Sequence, residues 1–222
     1  MSFSNNSHQE HSRALFHISG IGGSALLFWF CGDVMLGSLI LLGFIFLLVD
    51  WRRKVGDVWA IELIRFTTGD YFFSILRDSE TDQFSPGSKY ICAALIMLIC
   101  VRHFGLPAEL GVMSTLMLAV GDPVARIVGK EWKHNGFAGL VGKHWRKKCL
   151  YGKKTLVGSI AFFAFGLLVS CLFCVFVDLQ INWLILLLGV FVATLAELFS
   201  VKWDNFWVPI SAVITMWSLS GF

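Results

Sequence analysis

Leu156–Val177 reads LVGSIAFFAFGLLVSCLFCVFV, with no charged residue anywhere in it. About 20 consecutive apolar residues make a helix long enough to cross the hydrocarbon core of a bilayer. The apolar-polar alternation that marks a barrel strand is missing. Of the 222 residues, 56% are hydrophobic and 15% charged, too little polar surface to enclose a water-soluble domain of this size. In hydrocarbon the backbone must satisfy its own hydrogen bonds, and a helix does so within one segment. The expected fold is therefore an all-α integral membrane protein.

Six further runs extend the pattern: Ala14–Phe30, Val34–Val49, Lys89–Val101, Pro107–Val128, Trp183–Val201 and Phe206–Leu219. The run at Lys89 is short and needs residues from either side. Asp57–Leu76 mixes apolar residues with Glu62, Arg65 and Asp70, which suits a helix lying at the membrane interface. The whole chain, 1–222, reads as one transmembrane domain with a short polar amino terminus, 1–13, and a basic loop, 129–154.

Orientation follows from Lys and Arg in the connecting segments. Trp51–Ser88 carries Arg52, Arg53, Lys54, Arg65 and Arg77, and Gly129–Lys154 carries eight Lys or Arg residues. The turns Cys31–Asp33, His103–Gly105 and Asp178–Asn182 carry none. About seven spans satisfy this alternation, with the amino terminus and both basic loops cytoplasmic. The bilayer is the expected environment, and no nucleic-acid partner is expected. Cys171 and Cys174 form a CxxC inside a Phe- and Leu-rich run without further ligands, so a metal or redox role is not expected.

Charges within membrane helices are costly and point to function. Asp122 follows the apolar run Leu116–Val120 and precedes Pro123, whose missing amide proton is expected to disturb the helix. Arg126 stands four residues on, the spacing of a helical ion pair. Glu197 lies deep in an apolar run, and Asp204 and Asn205 follow at the start of the last one. The cytoplasmic ends of these helices should bring Asp122, Glu197 and Asp204 together, a donor set suited to a divalent cation such as Mg²⁺.

Gly152-Lys153-Lys154-Thr155, followed by Gly158-Ser159, opens a helix, and free amides at a helix start suit phosphate. The run is not a P-loop, because GxxxxGK[ST] requires Gly where Lys147 stands. Arg77 and Glu80 precede the third run. Arg13 and His17 sit one turn apart at the start of the first.

In order, these residues resemble the superfamily of dolichol kinase, phytol kinase and CTP-dependent diacylglycerol kinase. The pattern comprises Arg13 and His17; Arg77 and Glu80; Gly121, Asp122, Ala125, Gly129 and Lys130; Lys154, Thr155, Gly158 and Ser159; Glu197; and Asp204, Asn205 and Pro209. Ala14 stands where such proteins often have Lys, and the basic segment between Lys130 and Lys154 is longer than in the family pattern.

The resemblance implies transfer of the γ-phosphoryl group of CTP to the hydroxyl of a membrane lipid alcohol, with Mg²⁺. Asp122, Glu197 and Asp204 would then hold the metal, assisted by Asn205. Lys130, Lys154, Thr155, Gly158 and Ser159 would bind the triphosphate, and Arg77 would neutralise the transferring charge. Glu80 or His17 would orient the acceptor hydroxyl or take its proton. Two other activities suit the same residues: a CTP-dependent cytidylyltransferase acting on a lipid phosphate, and an ion-coupled transporter.

Overall fold

The computed structural model describes residues 12–75, 83–139, 154–200 and 202–221, leaving aside the side chains of 31–36, 39, 74–75 and 133–139. Every described element is a helix. Residues 12–17 are α-helical and run through a π-helical turn, Ile18–Gly22, into α1, Gly23–Val55. There follow α2 (Val58–Thr68), α3 (Tyr71–Ile75), α4 (Pro86–Phe104) and α5 (Ala108–Gly139). The last three are α6 (Leu156–Val177), α7 (Trp183–Phe199) and α8 (Asp204–Ser220). By length and composition α4, α6 and the Ala108–Trp132 part of α5 can cross a membrane, and α7 is a shorter apolar helix. Their outward faces carry apolar residues, among them Leu172, Val175, Phe176 and Leu184, each more than 60% exposed. Lipid suits such a surface and water does not. This is a helical membrane protein.

Local signals set the helix ends. Ser85 caps α4 by accepting the Ser88 amide at 3.2 Å, with Pro86 in the first turn, where a missing amide proton costs nothing. Thr155 caps α6 and Asn182 caps α7. The short run at Lys89 gains three residues on each side in α4. The segment expected at the interface forms α2 and α3 over its described residues, and Phe66 of α2 is 89% exposed.

The helical assignment of α1 is continuous over its 33 residues, but the segment cannot be straight. Ser24 lies 2.8 Å from the Tyr90 hydroxyl, while a Cβ on Gly43 would lie 3.3 Å from Ile91 and Leu95. A straight helix would hold Ser24 and Gly43 about 28 Å apart, yet both meet the same stretch of α4. The outgoing arm reaches the far end of α6, where Trp29 and Phe30 stack edge-on against Phe173 and Phe176. The chain therefore turns back between Phe30 and Leu42, the region where the sequence suggests a turn.

Pro123 does not break its helix. The helix continues from Ala108 to Gly139, because α5 is clamped against α6 on both sides of the proline. Gly121 receives the buried Phe162 ring, and a Cβ there would come within 2.8 Å of it. One turn beyond Ala125, Gly129 meets Gly158: a Cβ on Gly129 would lie 2.8 Å from Thr155 Oγ1, and one on Gly158 would lie 2.9 Å from the Ala125 carbonyl. Small residues four apart let two membrane helices approach backbone to backbone.

A buried ion pair joins α1 to α4. Asp50 and Arg53 are 1% and 6% exposed. Arg53 Nε donates to Asp50 Oδ1 at 2.7 Å and Nη2 donates to the Gln83 carbonyl at 2.6 Å. Asp50 Oδ2 accepts from the Ser85 amide at 2.8 Å and from the Ser88 hydroxyl. Removing one member of a buried pair strands the other, at a cost of about 3–5 kcal/mol. Asp50→Ala is expected to destabilise the detergent-solubilised protein by that order, measured by thermal unfolding. Gly158→Val, which forces α5 and α6 apart, should cost about 1–3 kcal/mol in the same measurement.

Candidate functional site

One end of the bundle gathers charge. Asp122 is 2% exposed on α5, and Arg126 Nη2, one turn on, donates to its Oδ2 at 2.8 Å. The helical ion pair suggested by the spacing is present. His17 approaches the same oxygen, with Nε2 at 3.8 Å. That nitrogen is buried and makes no hydrogen bond.

The second half of the site is centred on Lys154, just ahead of α6. Its ammonium donates to Glu197 Oε1 of α7 and lies 3.4 Å from Asp204 Oδ2 of α8. Burial alone would lower the Lys154 pKa, but Asp204, Glu197 and Asp122 together outweigh it and raise the pKa above the ordinary lysine value. Lys154 is thus a firmly held cation at neutral pH. Glu197 is 3% exposed, and its second oxygen, Oε2, is buried without a hydrogen-bond partner. Asp204 opens α8, where its Oδ1 accepts the Asn205 amide at 3.0 Å.

Other residues from the motif pattern take structural positions. Thr155 Oγ1 accepts the Gly158 amide at 3.1 Å, and the Ser159 amide bonds to the Thr155 carbonyl. The Gly158 and Ser159 amides are thus engaged within the chain in this arrangement. Gly158 serves the crossing with α5. The Ser159 hydroxyl is buried and has no partner. Asn205 donates its side-chain amide to the Pro86 carbonyl at 3.1 Å, fastening α8 to α4. Lys130 lies two turns beyond Asp122 and is partly exposed. Arg77, Glu80 and the greater part of the basic loop fall outside the described residues.

Asp122, Glu197 and Asp204 do not form a ready cluster: among the described residues no three His, Cys, Asp or Glu side chains stand together as a metal site. Lys154 stands between Glu197 and Asp204 instead. The donor chemistry still suits a hard divalent cation, since all these groups offer oxygen and Glu197 Oε2 is buried and unpartnered. A metal there would have to share these carboxylates with Lys154.

Three buried charges, Asp50, Arg53 and Lys89, lie outside the motif pattern. The partners of Asp50 lie in a segment more than thirty residues away, and only its i,i+3 spacing to Arg53 is a local signal. Lys89 marked only the edge of an apolar run. It is 7% exposed, with its ammonium 5.9 Å from the centre of the Trp203 ring, which brings a further cation to the helix ends that carry Asp204 and Asn205.

Comparison with models of known protein families, with curated proteins and with solved structures found no match.

The raised Lys154 pKa has a stability consequence. A lysine whose folded-state pKa exceeds its unfolded value stabilises the fold in full below the unfolded pKa. That contribution is lost as pH rises through the folded pKa. Melting temperature should hold between pH 7 and 9 and fall above about 10.5, the ordinary value. Lys154→Met should start lower and lack that alkaline component.

Proposed function

We propose that this protein is a multi-pass membrane kinase of lipid alcohols, transferring the γ-phosphoryl group of CTP to the hydroxyl of an isoprenoid alcohol or a diacylglycerol. The observation that carries the reading is the meeting of His17, Asp122, Arg126, Lys154, Glu197 and Asp204, drawn from segments spread along the chain, at one end of a largely apolar bundle. The choice of CTP and of a lipid acceptor rests on the ordered resemblance to the dolichol and phytol kinase superfamily.

In this reading the chain crosses the bilayer seven times, the two arms of α1 counting as separate crossings. The amino terminus and the charged end face the cytoplasm, where nucleotide is available. The reversal within α1 and the Lys and Arg distribution both support that topology.

Phosphoryl transfer demands positioning and charge neutralisation more than covalent chemistry by the protein. The acceptor oxygen forms a bond to the γ-phosphorus, the bond from that phosphorus to the bridging oxygen breaks, and CDP leaves with the electron pair. The acceptor proton passes to a base. His17 Nε2 suits that task, being buried, without a hydrogen-bond partner and close to Asp122, whose negative charge stabilises an imidazolium. Glu80 is the alternative base. Lys154 and Arg126 offer cationic hydrogen bonds to phosphate oxygens once the carboxylates that now engage them are shared with a metal, and Lys130 extends this stripe of charge along α5. Mg²⁺, held by Glu197 and Asp204 with Asp122 nearby, would supply neutralisation of the phosphate charge when bound. Arg77 would act on the transferring group.

The cytidylyltransferase reading uses the same groups and differs in product: a CDP-lipid and pyrophosphate instead of a lipid phosphate and CDP. Purified protein supplied with Mg²⁺, γ-labelled CTP and a panel of phytol, polyprenol and diacylglycerol is expected to move label into the lipid phase. Pyrophosphate release with phosphatidic acid, and no labelled lipid, would overturn the kinase reading. Asp122→Asn is expected to lower kcat by about 10²–10³-fold while the protein remains folded in detergent, and Lys154→Met by a similar factor. Wild-type turnover in Asp122→Asn would remove that residue from the machinery.

A further inference from the structure

Between the two arms of α1 and the facing helices α4 and α5 lies an apolar cavity of about 290 Å³. Along α4 its wall runs from Tyr90 to Val101, about 16 Å of helix. Leu42 and Phe46, which line it on the returning arm of α1, also reach the outer surface of the bundle, at 60% and 37% exposure.

The cavity carries three hydroxyls, and each already has an oxygen of the protein as partner for its proton. Ser24 donates to the Ile21 carbonyl at 2.8 Å and Thr115 to the Gly111 carbonyl at 2.9 Å. Tyr90 lies 2.8 Å from Ser24 Oγ and has Thr115 as a second side-chain partner, so its proton goes to one of these two oxygens. With their protons placed in this way among apolar walls, the hydroxyls offer a ligand no open donor, and the lining favours plain hydrocarbon.

Position relates the cavity to the charged end. Thr115 precedes Asp122 by seven residues on α5, two turns along the same face, which places it about 10 Å deeper in the bundle. Ser24 likewise lies seven residues beyond His17, on the outgoing arm. The two helices that carry the Asp122–His17 pair therefore also carry hydroxyls of the cavity.

We propose that this cavity binds the hydrocarbon tail of the acceptor lipid, holding its hydroxyl end toward His17 and Asp122. The inference rests on the lipid-alcohol reading above and narrows it. The occupant is an isoprenoid or alkyl segment without heteroatoms at this depth, and specificity there comes from the length and branching of the chain.

The test is photolabelling of the purified protein in detergent with a long-chain alcohol bearing a diazirine in its tail. Label is expected on α4 between Ile91 and Val101 and on α5 near Val112. Unlabelled phytol should compete for it, and phosphatidylcholine should not. Gly111 lines the cavity, and a Cβ there would meet nothing within 4 Å, so Gly111→Phe projects into the open space. That variant is expected to lose at least ten-fold in labelling. Ala94→Phe fills the cavity from the facing helix and keeps the test open should Gly111→Phe fail to fold.

Label elsewhere, equal competition by phosphatidylcholine, or unchanged labelling in a folded plugged variant would each overturn the proposal. Phytol-sensitive label in the cavity without phosphoryl transfer from CTP would retire the kinase reading and leave the cavity as a lipid-alcohol site. Transfer with an unchanged KM for phytol in both plugged variants would retain the kinase and reject the cavity.

Discussion

A charge placed among apolar helices has to find a partner, because desolvation without compensation costs several kcal/mol. In this protein that requirement determines which helix ends meet. Lys154 ahead of α6 engages Glu197 of α7 and Asp204 of α8, so three helices converge on one ammonium. Arg126 and His17 approach a single oxygen of Asp122 and bring the first helical segment to α5. Asp50 and Arg53 do the same for the returning arm of α1 and the chain entering α4. The charged end is both the chemically equipped part of the molecule and the fastening of the bundle.

Close backbone contact is the second requirement. Gly129 and Gly158 let α5 and α6 cross where any Cβ would strike the neighbouring chain, and the Thr155 cap sits in that crossing. Farther along, Gly189 of α7 admits Met216 of α8 in the same manner. The tight α5–α6 seam keeps the helix continuous through Pro123 and sets Asp122 on the face toward His17. Packing glycines and reactive carboxylates are thus interleaved on one helix: removing a small residue from the seam would shift the charged groups as well.

Much of the fold was legible because the length of an apolar run is a one-dimensional property. Leu156–Val177 is one helix with the bounds its sequence suggested, and the run at Trp183 differs only at its end. The ends of α4 were less legible, since Ser85 and Pro86 had first to be recognised as a cap. The site was legible in its members and less so in their roles. Asp122, Lys154, Glu197 and Asp204 do come to one end of the bundle. Thr155 and Gly158, which resemble a phosphate cradle, also cap α6 and admit α5. A glycine pattern is ambiguous in this respect, because a ligand and a neighbouring helix both require the absence of a Cβ. Pro123 does not interrupt its helix as its local chemistry suggests, since the clamp against α6 that keeps the helix whole is tertiary.

What the sequence by itself determined is the class of environment and the elements: a lipid-facing, all-helical chain with most of its Lys and Arg in two segments, Trp51–Ser88 and Gly129–Lys154. Hydropathy and charge act locally along the chain, so they can be read there. Only the tertiary structure decided that Lys154 stands between Glu197 and Asp204, that Asp50 fastens α1 to the start of α4, and that a cavity lies beneath the charged end. Those facts depend on where α1 turns back and on how each helix is rotated about its axis. That rotation is set by side chains from distant segments competing for the same space, and no single segment of the sequence contains it.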